Sequence, residues 1–117
     1  MPTTKGSAAD EPVRNAVQLC GRLSRSPEER TLPSGDVLLV FRVVVPRTPG
    51  VGGKARVDAI DCVAGRAGIR RSISTWSAGD LVEVAGQLHR RFWRGPAGPA
   101  SRYEVEVTTG RRVSRAA

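Results

Sequence analysis

The sequence has few of the residues on which most enzymes and metalloproteins depend. It has one histidine and two cysteines, Cys20 and Cys62, which lie far apart with no C-x-x-C spacing. Its carboxylates form no paired acid–base motif, and its glycines form no phosphate-binding loop of the P-loop or dinucleotide type. We therefore predict no catalytic residue, no metal site and no cofactor, and we expect both thiols to be reduced and buried.

Long apolar runs are also missing. No stretch approaches the roughly 20 apolar residues that a membrane span requires, and residues 1–11 lack the apolar centre of a signal peptide. These absences predict a cytoplasmic protein without a membrane partner. At 117 residues, the chain fits one domain with a single core.

Basic residues, by contrast, are abundant. The chain has 19 basic residues against 11 acidic ones, for a formal net charge of +8, and only Lys5 and Lys54 among them are lysines. Such an excess favours a polyanionic partner, either nucleic acid or an anionic membrane surface. Because no amphipathic basic helix is evident, nucleic acid is the favoured partner.

Hydrophobic periodicity predicts five strands and one helix. Residues 1–13 are polar and predict a disordered N-terminal segment. Residues 14–112 are expected to form the folded domain, and residues 113–117 a short basic tail. Alternation predicts strands over 15–23, 37–45, 56–64, 80–90 and 103–107, joined by turns over 24–36 and a loop over 46–54.

Two of these elements carry more detail. Alternation slips within 56–64, which predicts a bulge. In residues 66–77, Ile69, Ile73 and Trp76 share one face of a short helix, which places Trp76 in the core. The predicted fold is an all-β, five-stranded OB-fold barrel with one short α-helix between strands three and four.

Short motifs along residues 14–110 occur in the order and spacing of a known family. They are Asn15, Gly21-Arg22-Leu23, Pro27-Glu28, Arg30, Pro33-Ser34-Gly35, Phe41-Arg42-Val43-Val44-Val45, Asp58, Ile60-Asp61-Cys62-Val63-Ala64, Gly79-Asp80-Leu81-Val82, Gly86-Gln87-Leu88, Arg90, Arg91, Trp93 and Tyr103-Glu104-Val105-Glu106-Val107. The chain in this respect resembles the bacterial single-stranded DNA-binding protein family. That resemblance implies an OB-fold homotetramer or dimer that coats single-stranded DNA during replication, recombination or repair.

The chain also departs from the family's pattern. Ala59 and Gly65 stand where the family usually places stacking aromatics, and Trp93 is the one such position that keeps its ring. Family members commonly end in an acidic tip that recruits repair proteins, whereas residues 112–117 are basic and short. The expectation is a short paralogue without that acidic tail.

The candidate nucleic-acid-binding residues are one tryptophan, one phenylalanine and nine basic side chains. Trp93 adjoins a Gly/Pro-rich hairpin tip, which favours base stacking over packing against the hairpin or a subunit, and Phe92 lies either in the core or in the groove. Arg42 interrupts an apolar strand, and we expect Arg22, Arg56 and Arg66 to flank the same sheet face. The predicted set is Trp93, Phe92, Arg42, Arg22, Arg56, Arg66, Arg90, Arg91, Arg94, Arg47 and Lys54.

Two other functions remain open from the sequence. The missing aromatics favour an OB-fold module that binds proteins within a replication complex, and sheet and loop contacts of this type also suit RNA. The strand over 37–45 is apolar on both faces, which suggests that its outer face contacts another subunit.

Overall fold

The computed structural model describes residues 11–48 and 56–117, which form six strands and one helix. In chain order they are β1 (Val17–Leu23), β2 (Glu28–Thr31), β3 (Val37–Arg47), β4 (Arg56–Ala64), α1 (Ala67–Ile73), β5 (Leu81–Gly95) and β6 (Gly98–Ser114). Lys54 and residues 1–10 of the predicted disordered N-terminal segment lie outside the described residues.

Five of the strands close into a barrel. Around the ring, β1 pairs with β5, β5 with β6, β6 with β4 and β4 with β3, and β3 returns to β1 through Arg22–Val44 and Leu23–Val43. Every pairing is antiparallel except the short contact of β4 with β6. Helix α1 follows the third barrel strand, so the predicted OB-fold barrel and the place of its helix are confirmed.

Alternating side chains fill the interior of this barrel. Along β3, Leu39, Phe41 and Val43 are buried, whereas Arg42 between them is exposed. Phe41 contacts Trp76 edge-to-face, with ring centroids 6.0 Å apart, an arrangement that aromatic pairs favour. The buried core comprises Leu23, Leu39, Phe41, Val43, Cys62, Ala64, Ile73, Trp76, Val82, Val84, Val105 and Val107.

Helix α1 is shorter than the segment that predicted it. It ends at Ile73, and the following turn carries Trp76 onto the core beside it. The predicted burial of Trp76 is therefore confirmed. No helix within the two described ranges is long and apolar enough to cross a membrane.

Two strand predictions are wrong. The segment expected to consist of turns contains β2, a strand at the edge of β3 whose four residues are all exposed and so show no alternation. The bulge expected in β4 is absent, because β4 pairs with β3 without a break in register. Alternation fails there because Cys62, Val63 and Ala64 are all buried, which covers both faces of the strand.

The two cysteines lie in different environments. Cys62 is buried, and burial raises the pKa of its thiol to about 12, with a further contribution from the carboxylates of Asp61 and Glu104. Cys20 is exposed, so the prediction that it is buried is wrong. Its neighbours Leu19 and Gly21 turn towards the barrel, and alternation leaves Cys20 on the outer side of β1.

Strands β5 and β6 continue past the barrel as a two-stranded arm. β1 pairs with β5 only as far as Gly86, and β4 pairs with β6 only at Val105 and Glu106. Residues 90–95 and 98–103 therefore pair only with each other among the described strands, residues 87–89 pair with 104–106 at the base of this hairpin, and we call residues 87–103 the arm. At its tip, Gly98 has a φ of 119°, which suits glycine in a tight turn.

Candidate nucleic-acid interface

The five aromatic side chains divide between the core and the arm. Phe41 and Trp76 are buried in the barrel. The other three project from the arm and are largely exposed, Trp93 by 43%, Tyr103 by 58% and Phe92 by 69%. Large exposed rings on a projecting hairpin have no core to join, so they are available to a ligand.

One face of the arm presents Trp93. Trp93 is opposite Ala100, and Arg91 is opposite Arg102, so these four side chains share a face. The guanidinium carbon of Arg102 lies 5.9 Å from the centre of the Trp93 ring, within range of a cation–π contact. The indole predicted to stack bases is therefore at the surface, flanked by positive charge.

The opposite face presents Phe92 and Tyr103 around one arginine. The guanidinium carbon of Arg90 lies 4.9 Å from the Phe92 ring centre and 5.5 Å from that of Tyr103, and Arg90 also donates hydrogen bonds to Ser101 Oγ at 3.0 and 3.2 Å. Of the two positions left open for Phe92, the core is wrong. By alternation Phe92 shares a face of β5 with Leu88, the face that covers the core within the barrel. At Phe92, however, β5 extends beyond the barrel, so the ring is exposed.

The arm is positively charged beyond its base, where Gln87 and His89 lie opposite Glu106 and Glu104. It contains Arg90, Arg91, Arg94 and Arg102 and has no Asp or Glu between residues 87 and 103. None of the first three forms a salt bridge with any residue that the structure describes. Their charge is thus available to a polyanion.

Asn15 fixes the base of the arm. Its side-chain amide donates a hydrogen bond to the Leu88 carbonyl oxygen at 2.7 Å and accepts one from the Leu88 N–H at 2.8 Å. The pairing of β1 with β5 ends at Val17 and Gly86, and these two bonds continue it by two residues on each chain segment. Gly86 lies two residues before Leu88, and a Cβ at this position would collide with the carbonyl oxygen of Glu106.

Three other predicted arginines are committed to partners within the barrel. Arg42 Nε donates to Asp61 Oδ1 at 2.9 Å, and Arg22 donates to the Gly79 carbonyl oxygen at 3.0 Å. Arg47 Nε lies 3.8 Å from Asp58 Oδ2. Two of these three guanidinium charges therefore lie beside a carboxylate.

Arg56 and Arg66 do not extend the face that carries Arg42. Arg56 pairs with Arg47 where β3 ends and β4 begins. By alternation, both lie on the face of the sheet that carries the buried residues Phe41 and Val43, opposite to the face of Arg42. Arg66 is outside the strands, at the N-terminus of α1. The arrangement that brings predicted residues together is the arm, which unites Arg90, Arg91, Phe92, Trp93 and Arg94.

Sequence reasoning missed three residues of this surface. Tyr103 was read only as part of a strand, but its register with Arg90 places it on an exposed face. Arg102 and Asn15 likewise gain their contacts from register, to Trp93 and Leu88. A signal was present for Tyr103 and Arg102, because β6 begins directly after the hairpin turn and must pair with the arginine-rich end of β5.

No metal site competes with this reading. Within residues 11–48 and 56–117, the His, Cys, Asp and Glu side chains form no group of three or more that could hold a metal ion.

Comparison with known proteins gives one consistent result. The model of the Single-strand binding protein family matches residues 14–114. Single-stranded DNA-binding protein 1 of Staphylococcus aureus is 36% identical over 85 residues, which are 72% of this chain and 51% of that protein. Single-stranded DNA-binding protein A of Bacillus subtilis is 33% identical over 85 residues, 72% of this chain and 49% of that protein. The chain thus spans about half the length of these curated relatives.

The fold is also similar to that of a solved structure. The chain superposes on a structure titled Plasmodium falciparum SSB complex with ssDNA with a TM-score of 0.72 and 24% sequence identity, over 90% of this chain and 97% of the other. At that identity the likeness concerns the fold.

Proposed function

This chain belongs to the single-strand binding protein family, and from that premise we propose that it binds single-stranded DNA largely without sequence specificity. In this role it coats and protects exposed strands in the bacterial cytoplasm during replication, recombination or repair, and it catalyses no reaction. The observation that carries the proposal is the arm, where three exposed rings occur with three arginines, Arg90, Arg91 and Arg94, that form no salt bridge with a described residue.

The arm suits a single strand better than a duplex. Unstacked bases offer flat surfaces to an exposed indole, and each stacked base contributes about 1–3 kcal/mol. Arg91 and Arg102 flank Trp93, so they are positioned to contact the phosphates on either side of a base stacked there. Duplex DNA keeps its bases stacked on one another and offers the arm only phosphates.

A second part of the proposal concerns assembly. β1 pairs with β5 along its length, but β3 covers its other edge only at Arg22 and Leu23, so the edge from Val17 to Gly21 has no partner among the described strands. An open strand edge is a ready site for pairing with another chain. We propose a homodimer or homotetramer, in which several barrels share one strand of DNA.

Two other functions are tested by the same experiment. An RNA-binding OB protein uses the same arm, and a protein-interaction module within a replication complex uses the exposed rings without nucleic acid. Titration of the chain with poly(dT), poly(U) and duplex DNA, at low and at high salt, separates them by the quenching of Trp93 fluorescence. Trp76 is buried and serves as the unresponsive background.

We expect poly(dT) to quench Trp93, to saturate at several nucleotides per subunit, and to bind more weakly as salt rises. Duplex DNA quenches little. Tighter binding of poly(U) than of poly(dT) assigns the arm to RNA, and the absence of quenching by any nucleic acid at low salt leaves the interaction module.

A further inference from the structure

A cleft beside the arm contains buried groups without partners. It opens on the outer face of the barrel, between β2 and the strands β3, β4 and β6, with a volume of about 230 Å³. Its lining includes four arginines and three carboxylates, and among them are two neighbouring pairs, Arg42 with Asp61 and Arg102 with Glu104. Arg42 and Asp61 satisfy each other, but the second pair does not.

Arg102 and Glu104 are close to each other without bonding. Glu104 is only 4% exposed, and its Oε1 has no hydrogen-bond partner among the described residues. The nearest cation is Arg102, whose Nε lies 3.9 Å away and is itself buried without a partner. Arg102 is also 3.9 Å from Asp61 Oδ2. Buried polar atoms of this type are rare in folded proteins, because each costs free energy until a partner bonds to it.

The two free atoms call for different partners. Glu104 Oε1 accepts a hydrogen bond, and Arg102 Nε donates one. A ligand that presents a donor and an acceptor side by side on one edge satisfies both atoms. Carboxylates among several guanidinium groups disfavour a metal cation, and the site is too polar for an apolar side chain.

The cleft also lies on the expected path of the DNA. Arg102 contacts the Trp93 ring on one side and Asp61 and Glu104 on the other, so it connects the stacking surface to the cleft. Trp93, Arg102 and Glu104 share one face of the β5–β6 ribbon by alternation. A strand that stacks a base on Trp93 and follows this face towards the barrel therefore passes over Glu104.

We infer that this cleft binds a nucleobase that carries an exocyclic amino group, with cytosine as the pyrimidine that fits. The inference rests on the proposed binding of single-stranded DNA and adds a base preference to it. The amino N–H of the base donates to Glu104, the pairing by which Glu and Asp recognise cytosine N4, and the adjacent ring acceptor takes the Arg102 N–H. The Arg102 side chain is 40% exposed, so it has room to move aside as the base enters.

Bases without an amino group bind less well there. Uracil and thymine present carbonyl oxygens at the position of the cytosine amino group, and an oxygen facing the Glu104 carboxylate is repelled. Comparison of oligo(dC) with oligo(dU) isolates this edge, because the two bases differ only at that position and at the ring nitrogen beside it.

The test is the ratio of Kd for oligo(dU) to Kd for oligo(dC), measured at pH 8 for the wild type, Glu104→Gln and Glu106→Gln. Glutamine has the shape of Glu104 but can donate as well as accept, so it removes the discrimination. Glu106 is the matched control, since it lies two residues along the same face, is exposed, and loses the same charge. We expect the ratio to fall about fivefold or more in Glu104→Gln and to stay at the wild-type value in Glu106→Gln.

An unchanged ratio in Glu104→Gln, or equal changes in both variants, overturns the inference. A second measurement does not depend on any variant folding: replacement of the cytosines by N4,N4-dimethylcytosine removes the donor and should bring the wild-type Kd to that of oligo(dU). A wild type that binds the modified strand as well as oligo(dC) overturns the inference and leaves strand binding intact. Failure of the wild type to bind any strand overturns the proposed function itself.

Discussion

The arm and the outer face of the barrel are both rich in arginine, but they use it differently. On the barrel, Arg42 is bonded to Asp61 and Arg111 to Glu83, each at 2.9 Å, whereas Arg25 and Arg30 form no salt bridge with a described residue. On the arm, Arg91 and Arg94 have no carboxylate partner among the described residues, and Arg90 lies between two aromatic rings. The difference shows that the net charge of +8 does not make every part of this sheet a phosphate site.

Paired arginines are poor phosphate ligands for a physical reason. A phosphate that binds Arg42 must displace or approach the Asp61 carboxylate, which repels it, whereas Arg91 or Arg94 accepts a phosphate without that cost. Rings follow the same division, since all three exposed ones are on the arm. The experiments below test whether the arm, and not the barrel face, supplies the affinity for single-stranded DNA.

The largest effect is expected from removing the free charge of the arm. The slope of log K against log salt is negative, and each phosphate contact on a single strand contributes about 0.7 to its magnitude. The triple change Arg90→Ala, Arg91→Ala and Arg94→Ala should therefore make the slope shallower by about 2. Oligo(dT) titrations at several salt concentrations measure the slope.

The matched control removes three arginines that have partners in the barrel. Arg22→Ala, Arg42→Ala and Arg111→Ala together cost the same net charge, but these side chains bond to Gly79, Asp61 and Glu83. We expect a smaller change of slope. Equal slopes for the two triple variants would remove the distinction between the regions.

Loss of the Trp93 ring comes next in size. Trp93→Ala should weaken binding by about 1–3 kcal/mol, the contribution of one stacked base, and Trp93→Phe should keep much of it. Leu88→Ala is the control, because Leu88 is an exposed apolar residue of the arm without a ring. An unchanged Kd in Trp93→Ala, measured by fluorescence anisotropy of a labelled strand, would place stacking elsewhere.

A smaller effect is expected where the arm joins the barrel. Asn15→Ala removes both hydrogen bonds to Leu88, each contributing about 0.5–1.5 kcal/mol. The Leu88 amide should then exchange its hydrogen faster, and DNA binding should weaken modestly because the arm is less well oriented. Gln18→Ala, an exposed residue of β1, is the control. Unchanged exchange at Leu88 would mean that the arm needs no support from Asn15.

The smallest effect on binding is expected from Asp80, which acts on the barrel. Hydrogen bonds from the backbone N–H groups of Ser77 and Ala116, and then Arg112, lower the pKa of this carboxyl below its usual 3.8. Its stabilising contribution is therefore present above pH 3.8 and is lost as the pH falls through the lower, folded-state pKa.

Thermal unfolding between pH 6 and pH 3 checks this expectation. Asp80→Asn should be less stable at pH 6 and should lose less stability on acidification than the wild type, with little change in DNA affinity at neutral pH. Asp36→Asn, at an exposed turn, is the control. Parallel pH curves for the wild type and Asp80→Asn would contradict the assignment.

Strand and helix periods were enough to predict the barrel and the place of the helix. The exposed β2 could not be found in this way, because an edge strand with no buried residue has no apolar period. Cys20 was misjudged because its apolar neighbours lie on the opposite face of β1. Both errors arise because the apolar pattern of a short segment does not specify which of its residues pair or face the core.

For the candidate site, the sequence pointed to the hairpin that the structure shows as the arm, but not to the contacts within it. Trp93 and the adjacent arginines stand out by composition alone. The pairing of Arg42 with Asp61, the clamp from Asn15 and the free Oε1 of Glu104 depend on strand register and on residues far apart in sequence. Register is set by the closed barrel, so it becomes readable only once the fold is known.

The most direct test of the central claim is to map amide shift changes by NMR as oligo(dT) is added to the full chain. We expect the largest changes in residues 87–103, including the indole N–H of Trp93, and small changes on β3 and β4. Large changes around Arg42 and Asp61 with an unperturbed arm would contradict the claim.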